Sequence, residues 1–516
     1  MKKSSFVYGT FILIFSNLIV RLISFSYDIV LCKLIGAEGI GIFHMLMPLL
    51  MIFLIITTGG IPTAVSKLAS EYDSMNNIYG TRKVFKVALS ITCFITVLLI
   101  SLIPIFSPYF SQKIFKSTSN IIIIYSLVPA ILIISITSLI RGYFYGKKKM
   151  IISSISEIIE HTTRFILVMI LIHYFKPSSS HNGALMAIIG ISLGEFFSLL
   201  WLICNYIKLN SLTINTIQNR ISTVSIIKRL SIIAIPMTLS GIFNVSFQFI
   251  NALLLPQKLM ESGCANGEAI AIFGRIMGMT MPLVSLPFIV TSALVVNIIP
   301  SLSSHLRLKE YAKAKRVISY AIKITFLVAM PLTAIYAFFP ETLALYLYND
   351  IQAGKFIFVM GMNTVFMSLQ HTLSGILNGI GKQINASINR FIGMGFLALC
   401  IYFLVGVEWI SINGYFIGFI GSIFIICLSD LYILNKKISI RINFIDIIIK
   451  PFISSIIMTS FIFLLHSILN SYGFTGPIIK PICLVSGFIV YFLVVIATRA
   501  LPISFLKMIM SARDIK

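Results

Sequence analysis

The sequence has very little charge. Only 11% of its 516 residues are Asp, Glu, Lys or Arg, whereas 58% are hydrophobic. Soluble domains usually have about 25% charged residues, and a mean hydropathy of +1.00 is too high for a surface that meets water on all sides. The shortage of charge excludes an ordinary soluble protein and indicates a membrane protein with several spans.

Acidic residues are scarcer still: 16 stand against 40 Lys and Arg, which gives a net charge of +24. In a soluble protein this excess would suggest nucleic acid binding. Here the basic residues lie in short blocks between apolar runs, which is typical of cytoplasmic loops. We therefore expect no nucleic acid partner.

The sequence also lacks the motifs of a metal site or an enzyme. Its seven cysteines are scattered singly, with no CxxC or Cys/His ligand spacing, so neither a metal site nor a disulfide framework is supported. HExxH, GxSxG and a phosphate-binding loop are missing too, and the loops are too short for a soluble catalytic domain or an ATPase. We expect no enzyme and no cofactor. Transport would have to be driven by an ion gradient (H⁺ or Na⁺), by voltage or by the substrate gradient.

Long apolar runs are abundant. Fourteen are long enough to cross roughly 30 Å of hydrocarbon, so the predicted fold class is an all-α polytopic membrane protein with 14 transmembrane helices. The runs lie near residues 6–31, 41–65, 84–108, 119–141, 151–175, 183–207, 230–256, 272–300, 317–340, 356–380, 386–407, 411–434, 447–469 and 478–499. No small-residue cleavage site follows the basic N-terminus, so the first run is predicted to be an uncleaved span.

The basic residues predict the orientation of these spans. Thirty of the 40 Lys and Arg fall on the side of the membrane that holds both chain ends, including Arg141 with Lys147–Lys149, and seven fall on the other side. The positive-inside rule therefore predicts a multi-pass protein of the cell membrane with cytoplasmic N- and C-termini.

The chain repeats itself at an offset of about 230–240 residues. "GIGIFHMLMPL" at 39–49 parallels "AIAIFGRIMGMTMPL" at 269–283, and "SLIRGYFYGKKK" at 138–149 parallels "SGILNGIGKQ" at 374–383. This repetition predicts two parallel six-helix repeats plus two extra C-terminal helices. Such an organisation is typical of a transporter. The predicted domains are an N-terminal six-helix lobe (1–207), a cytoplasmic linker (208–229), a C-terminal six-helix lobe (230–434), and helices 13–14 with a cytoplasmic tail (435–516).

Four ionisable residues lie inside the predicted fifth helix: Glu157, Glu160, His161 and Arg164. Their i, i+3, i+4 and i+7 spacing places them on one side of that helix. Exposure of this side to lipid would cost several kcal/mol, so we expect it to face the bundle interior or a water-filled cavity. Arg164 is in register to pair with Glu160. The cluster is either a structural ion pair or the wall of a cavity with a titrating site.

Further charges lie in other spans. Arg21 in helix one needs an anionic partner, for which Asp28, a glutamate of helix five and a bound phosphate are the candidates. Arg275 occupies the matching region of the second half, and two cavity arginines would suit a diphosphate headgroup. Glu195 is a further buried acid, either a packing partner or a proton site.

Several stretches together resemble a known family. These are "SNLIVRLISFSYDIVLCKLIGAEGIGIFHMLMPL" with "GGIPTAVSKLASEY", "LIRGYFYGKKKMIISSISEIIEHTTRF", and "AIFGRIMGMTMPLVSLPFIVTSALVVNIIPSLS". In this order they resemble the polysaccharide-transporter branch of the multidrug/oligosaccharidyl-lipid/polysaccharide exporter superfamily, including its sporulation members. The resemblance covers nearly the whole chain.

The resemblance implies two lobes around a central cavity, alternating access, and flipping of an undecaprenyl-diphosphate-linked saccharide such as a lipid II-type peptidoglycan precursor for the spore cortex. Helices 13 and 14 would hold a groove for the polyprenyl tail. Cavity arginines of related lipid II flippases match Arg21 and resemble Arg275. Tyr27 stands where a second helix-one arginine is expected, and the helix-two arginine is absent, which leaves the exact substrate open.

The implied partners are the lipid-linked oligosaccharide, membrane lipid and cell-wall synthesis proteins. Alternative functions are a cation-coupled multidrug exporter of the same superfamily, which would usually have twelve helices, and a flippase for teichoic acid or exopolysaccharide repeat units. A polytopic glycosyltransferase or acyltransferase and a non-transporting scaffold for a spore-wall complex are two further classes.

Overall fold

The structure is a computed structural model that describes residues 3–114, 121–211, 222–438, 444–473, 479–498 and 500. Within those ranges the chain is helical and contains no β-strand. Its helices are α1 (Lys3–Thr57), α2 (Ile61–Ser74), α3 (Ile78–Ile114), α4 (Ile121–Tyr125), α5 (Leu127–Gly146), α6 (Met150–Phe175), α7 (Ser180–Ser211), α8 (Thr223–Glu261), α9 (Asn266–Gly274), α10 (Met281–Val284), α11 (Phe288–Arg307), α12 (Tyr311–Phe338), α13 (Pro340–Tyr348), α14 (Ala353–Met362), α15 (Thr364–Gly379), α16 (Gln383–Cys400), α17 (Ile412–Ile438), α18 (Lys450–Ser471) and α19 (Ile479–Ala497). Single π-helical segments occupy Arg275–Thr280, Ile401–Val405 and Ile445–Ile449.

The described residues contain twelve helical segments that are long and apolar enough to cross a membrane. The count rises to thirteen if α14 and α15, which meet at a 49° bend, form one span. The predicted fold class, an all-α polytopic membrane protein, is confirmed. The predicted number of fourteen spans is compatible with this result.

Four differences link the fourteen predicted runs to the twelve segments. The first two runs are counted as one segment, α6 and the bent pair α14–α15 are not among the twelve, and the predicted eighth run is counted as two segments. The segment Phe15–Ser74 counts once, yet Gly36 interrupts α1 with a φ of 71° and a ψ of 178°, between the predicted first and second spans. Glycine tolerates this positive φ because it has no Cβ. The charged helix α6 is 26 residues long and is not among the twelve. Its length alone would suffice to cross the bilayer.

The predicted eighth span, near 272–300, is not continuous. It is divided between a helical segment that ends at Val284 and α11, which begins at Phe288. Ser285 and Pro287 lie in the break, and proline at a helix boundary removes an N–H that continuous helix would need. The same feature occurs in the first half, where Gly59 and Gly60 separate α1 from α2.

The chain forms two compact units. The first comprises Met1–Met279 with Val405–Ser411, and the second comprises Thr280–Leu404 with Ile412–Lys516. The predicted lobe boundaries, with a first lobe at 1–207 and a second at 230–434, remain a prediction. The central part of the predicted linker and nearly all of the predicted cytoplasmic tail lie outside the described residues.

Closely packed glycines occur in both stretches of the repeat at 138–149 and 374–383. A Cβ added at Gly142 of α5 would lie 2.5 Å from the backbone oxygen of Pro62 in α2. In the second stretch, Gly375 of α15 would place a Cβ 2.4 Å from a methyl carbon of Val295 in α11. Small residues let helices approach closely in membranes. The local packing of each unit therefore supports the repeat that the sequence suggests.

A third close contact lies between α6 and α7. Gly190 and Gly194 form a GxxxG spacing on α7, and a Cβ at Gly194 would lie 2.7 Å from the backbone oxygen of Glu160. It would also lie 2.9 Å from Cβ of Arg164. The charged side of α6 thus lies directly against α7.

We expect Gly194→Ala to destabilise the protein by about 1–3 kcal/mol, because the added methyl group must displace the backbone of α6. The matched control is Gly395→Ala, since a Cβ at Gly395 meets no atom within 4 Å and alanine favours a helix. Thermal unfolding of the purified protein in detergent measures both. Equal unfolding midpoints for the two variants would contradict the tight α6–α7 contact.

Candidate functional site: a buried charged cluster

Glu160 of α6 lies at the centre of a charged cluster in the first unit. Its side chain is buried, with 5% of the residue exposed. Arg164, one turn later on the same helix, pairs with Glu160 Oε1, and Nη2 of Arg141 lies 2.9 Å from Glu160 Oε2. His161 Nε2 is 3.8 Å from Oε1. The predicted Glu160–Arg164 pair is therefore present, with a second arginine added.

Arg141 is the residue that joins three helices. It is the last residue of the predicted span 119–141, but α5 continues to Gly146, so Arg141 lies inside a candidate span. Its Nε donates to Ser156 Oγ of α6 at 3.0 Å, and its Nη2 donates to Ser198 Oγ of α7 at 2.8 Å. These bonds fix the guanidinium where α5, α6 and α7 meet. The predicted span therefore ends too early, and Arg141 is an interior residue of the helix.

Glu195 of α7 brings a second carboxyl group to the same guanidinium. Its Oε2 lies 3.7 Å from Arg141 Nη2 and accepts a hydrogen bond from Thr137 Oγ1 at 2.9 Å. Only 4% of Glu195 is exposed. With Arg164, the cluster contains two arginines and two carboxyl groups, so its formal charges balance when both carboxyl groups are ionised. A balanced buried cluster avoids the cost of an uncompensated charge.

The two remaining members of the α6 side have other partners. Glu157 accepts a hydrogen bond from the Tyr145 hydroxyl of α5 at 3.1 Å. The ring nitrogen Nδ1 of His161 lies 2.9 Å from Ser24 Oγ of α1. The charged side of α6 therefore faces α1, α5 and α7, in agreement with the expectation that it faces the bundle interior.

Asp28 and Arg21 of α1 differ in their surroundings. Asp28 is half-buried and close enough to Arg164 for electrostatic attraction. Arg21 is exposed, and among the described residues no carboxylate lies within ion-pair distance of it. Of the three candidate partners for Arg21, neither Asp28 nor a glutamate of helix five pairs with it here.

Arg275 is half-buried at the start of a π-helical segment that follows α9. The preceding Gly274 packs so closely on α1 that an added Cβ would lie 2.0 Å from the backbone oxygen of Ala37. The thiol of Cys32, also in α1, donates to the backbone oxygen of Gly278 at 3.4 Å. The segment that carries Arg275 is thus firmly attached to α1 within the first unit.

The second unit has a buried polar site of its own, which is not among the predicted site residues. Asp430 of α17 is fully buried. Its Oδ2 accepts a hydrogen bond from Ser374 of α15 at 2.8 Å, and its Oδ1 accepts one from Asn389 of α16 at 2.7 Å. The second unit therefore has a buried acid held by neutral donors, where the first unit has a cluster centred on an arginine.

No group of three or more His, Cys, Asp or Glu that could hold a metal ion occurs among the described residues. All seven cysteines are free.

Many charges inside a bundle of membrane-spanning helices define a multi-pass membrane protein with a polar interior. Residues 6–306, more than half of the chain, match the family described as polysaccharide biosynthesis protein, and residues 267–404 match the MatE family. The chain therefore belongs to the polysaccharide biosynthesis protein family, and the resemblance to the polysaccharide-transporter branch is confirmed.

Two characterised relatives come from Bacillus subtilis (strain 168). Stage V sporulation protein B is 26% identical over 89% of this chain and 90% of its own length. Lipid II flippase MurJ is 24% identical over 76% of each chain. Among solved structures, an inward-facing multidrug resistance MATE transporter of the MOP superfamily shares the fold with a TM-score of 0.65 and 15% identity, over 81% of this chain and 94% of its own. The chain thus belongs to a superfamily of membrane transporters and flippases.

Proposed function

We propose that the chain is a flippase that moves an undecaprenyl-diphosphate-linked saccharide, of the lipid II peptidoglycan-precursor type used for the spore cortex, across the cytoplasmic membrane by alternating access. The observation that carries the proposal is the similarity to stage V sporulation protein B along 89% of the chain. The similarity to lipid II flippase MurJ supports the same substrate class. In this proposal both termini are cytoplasmic, as the distribution of basic residues predicts.

Arg21 and Arg275 supply the positive charge for the diphosphate in this proposal. A planar guanidinium binds phosphate oxygens through two parallel hydrogen bonds. Arg21 is suited to this role because the carboxylates of the charged cluster are held by Arg141 and Arg164 instead. Asp28 and Arg164 would border the same path, since α1 packs against α6 and Arg164 is close enough to attract Asp28 electrostatically.

The direct test is the transbilayer accessibility of lipid II in cells where this chain is the only candidate flippase. We expect lipid II to be exposed on the outer surface when the chain is produced, and to remain inside when it is absent. Retention of lipid II inside the cell despite normal production would contradict the lipid II assignment. Export of a teichoic acid or exopolysaccharide precursor in the same cells would then identify the alternative substrate.

A cation-coupled multidrug exporter is the second candidate function. It is favoured by the MatE match at residues 267–404 and by the MATE-like fold. The two candidates differ in a drug-resistance assay. A lipid-linked saccharide flippase should leave the sensitivity of cells to cationic drugs unchanged.

We further propose that a coupling proton, if the cycle uses one, binds at Glu195. Glu160 has a 2.9 Å contact with Arg141 and a second arginine partner, whereas Glu195 has only a 3.7 Å contact with Arg141. Of the two buried carboxyl groups, Glu195 is therefore the one whose negative charge the arginines compensate less. Glu160 and Glu157 have structural roles in this proposal.

We expect Glu195→Gln to remove the dependence of transport on a pH gradient with little change in stability. Glutamine still offers an oxygen to Thr137, and Arg141 keeps Glu160, Ser156 and Ser198. Transport into vesicles with and without an imposed pH gradient measures the effect, with Glu157→Gln as the control that stays gradient-dependent. A Glu195→Gln protein that still responds fully to the gradient would show that the proton binds elsewhere or that another force drives transport.

A further inference from the structure

A pocket in the second unit lies where α12 ends, α13 begins and α19 begins. Its cavity measures about 220 Å³. It is separate from the charged cluster, all of whose members belong to the first unit. Its lining residues come from α12, α13, α18, α19 and the residue between α12 and α13, and they are Phe338, Phe339, Thr342, Ile462, Phe463, His466, Lys480, Cys483 and Leu484. We name it the Lys480 pocket.

Three aromatic rings form one wall of the Lys480 pocket. The ring of Phe463 lies 4.6 Å from that of Phe339 and 6.2 Å from that of Phe338, centroid to centroid. Both distances are in the range of favourable aromatic pairs. The wall is therefore held in place by contacts between α18 and the end of α12, and it offers a rigid apolar surface to a ligand.

The polar groups of the pocket are all donors for an anion. Lys480 carries a positive charge, His466 can donate from its ring, and Thr342 supplies a hydroxyl. No acidic residue lines the cavity. Within the described part of the chain, neither Lys480 nor His466 forms an ion pair with a carboxylate. The positive charge at this site is thus not compensated by the protein residues that the structure describes.

The pocket lies at the ends of two candidate membrane spans. Phe338 is the last residue of α12 and Lys480 is the second residue of α19, and both helices are candidate spans. A lysine near the end of a span can place its ammonium group at the level of the lipid headgroups while its methylene groups contact apolar surface. A basic pocket between membrane helices therefore suits an anionic lipid headgroup.

We propose that the Lys480 pocket binds the phosphate group of an anionic membrane lipid. Lys480, His466 and Thr342 hold the phosphate oxygens, and the wall of Phe338, Phe339 and Phe463 contacts the apolar part of the lipid next to the headgroup. The bound lipid neutralises Lys480 and fills the space between α12, α18 and α19. The proposal does not depend on the flippase assignment, because it concerns a resident lipid and not the transported molecule.

The test is native mass spectrometry of the protein from nanodiscs that contain equal amounts of phosphatidylglycerol and phosphatidylcholine. We expect the wild type to retain phosphatidylglycerol in preference to phosphatidylcholine, and Lys480→Gln to retain at least fivefold less of it. Lys480→Arg should keep the preference. The matched control is Lys355→Gln, since Lys355 is an exposed lysine of α14 outside the pocket.

Three outcomes would overturn the proposal. They are equal retention of phosphatidylglycerol by the wild type and Lys480→Gln, equal loss in Lys355→Gln, and equal retention of the two lipids by the wild type. Addition of undecaprenyl diphosphate separates the two sources of a lipid phosphate. Its displacement of phosphatidylglycerol at low stoichiometric excess would assign the pocket to the carrier lipid instead. Each readout is bound lipid, so a failure here leaves the transport assays as an independent result.

Discussion

Replacement of Glu160 by glutamine is expected to lower the free energy of unfolding by about 3–5 kcal/mol, because breaking a buried ion pair from one side leaves an uncompensated charge. Glu160 is the common partner of Arg141 and Arg164. Without its charge, Arg164 would lose its ion pair, and Arg141 would keep only the longer 3.7 Å contact with Glu195. The measurement is the unfolding midpoint of the purified protein in detergent, together with the amount of protein in the membrane.

The matched control for this variant is Glu157→Gln. Glu157 lies on the same side of α6, three residues earlier, but its described partner is the neutral Tyr145 hydroxyl. Glutamine preserves an acceptor there, so the expected loss is at most about 1 kcal/mol. Unchanged stability, production and transport for Glu160→Gln would contradict both the structural and the functional interpretation of the cluster.

The sequence predicts this cluster in part because one helix carries most of it. The i, i+4 spacing of Glu160 and Arg164 requires only that α6 be helical, and the pair forms as predicted. The buried orientation follows from the cost of charge in lipid. Both arguments are local, and the structure agrees with both.

The roles of Arg141 and Asp430 were not predicted, because they depend on tertiary contacts between helices and not on the spacing within one helix. Arg141 is followed within eight residues by three lysines, so its position resembles the edge of a cytoplasmic loop. Its role depends on the close packing of α5 through Gly142, which is a tertiary feature. Asp430 stands alone in its helix, and its partners Ser374 and Asn389 come from two other helices. A shared sequence feature of the two sites is that a closely packed glycine directly follows Arg141 in one and Ser374 in the other.

The membrane spans, too, were predicted in part: their presence follows from the sequence, but the positions of their breaks do not. Apolar length predicts that the chain crosses the membrane many times, and this prediction holds. The positions of breaks depend on single residues: Gly36 interrupts α1, and Ser285–Pro287 interrupts the predicted eighth span. Hydropathy averages over such residues, because a break of three residues hardly changes the mean of a 20-residue window.

Substitutions of Arg21 and Glu160 should have opposite effects. Loss of Glu160 should lower stability, whereas loss of Arg21 should lower transport and leave stability unchanged. Ser24, one turn after Arg21 on α1, contacts His161 of α6, so Arg21 lies next to the charged side of α6 without a described carboxylate partner. Loss of its charge breaks no ion pair among the described residues. A positive charge in a membrane span that the described residues leave uncompensated is best explained by an anionic ligand.

Arg21→Ala is therefore expected to reduce transbilayer exposure of lipid II by roughly 10- to 100-fold, since charged hydrogen bonds contribute about 1.5–3 kcal/mol, while the unfolding midpoint stays near that of the wild type. Arg21→Lys keeps the charge but loses the two parallel hydrogen bonds of the guanidinium, so its transport should lie between that of the wild type and that of Arg21→Ala. Arg275→Ala should also reduce exposure, but Arg21 gives the cleaner comparison because it is exposed. If Arg21→Ala transports normally at matched production, the diphosphate does not bind at Arg21; if it unfolds like Glu160→Gln, Arg21 is structural. Loss of transport with unchanged stability is the result that assigns Arg21 to the substrate.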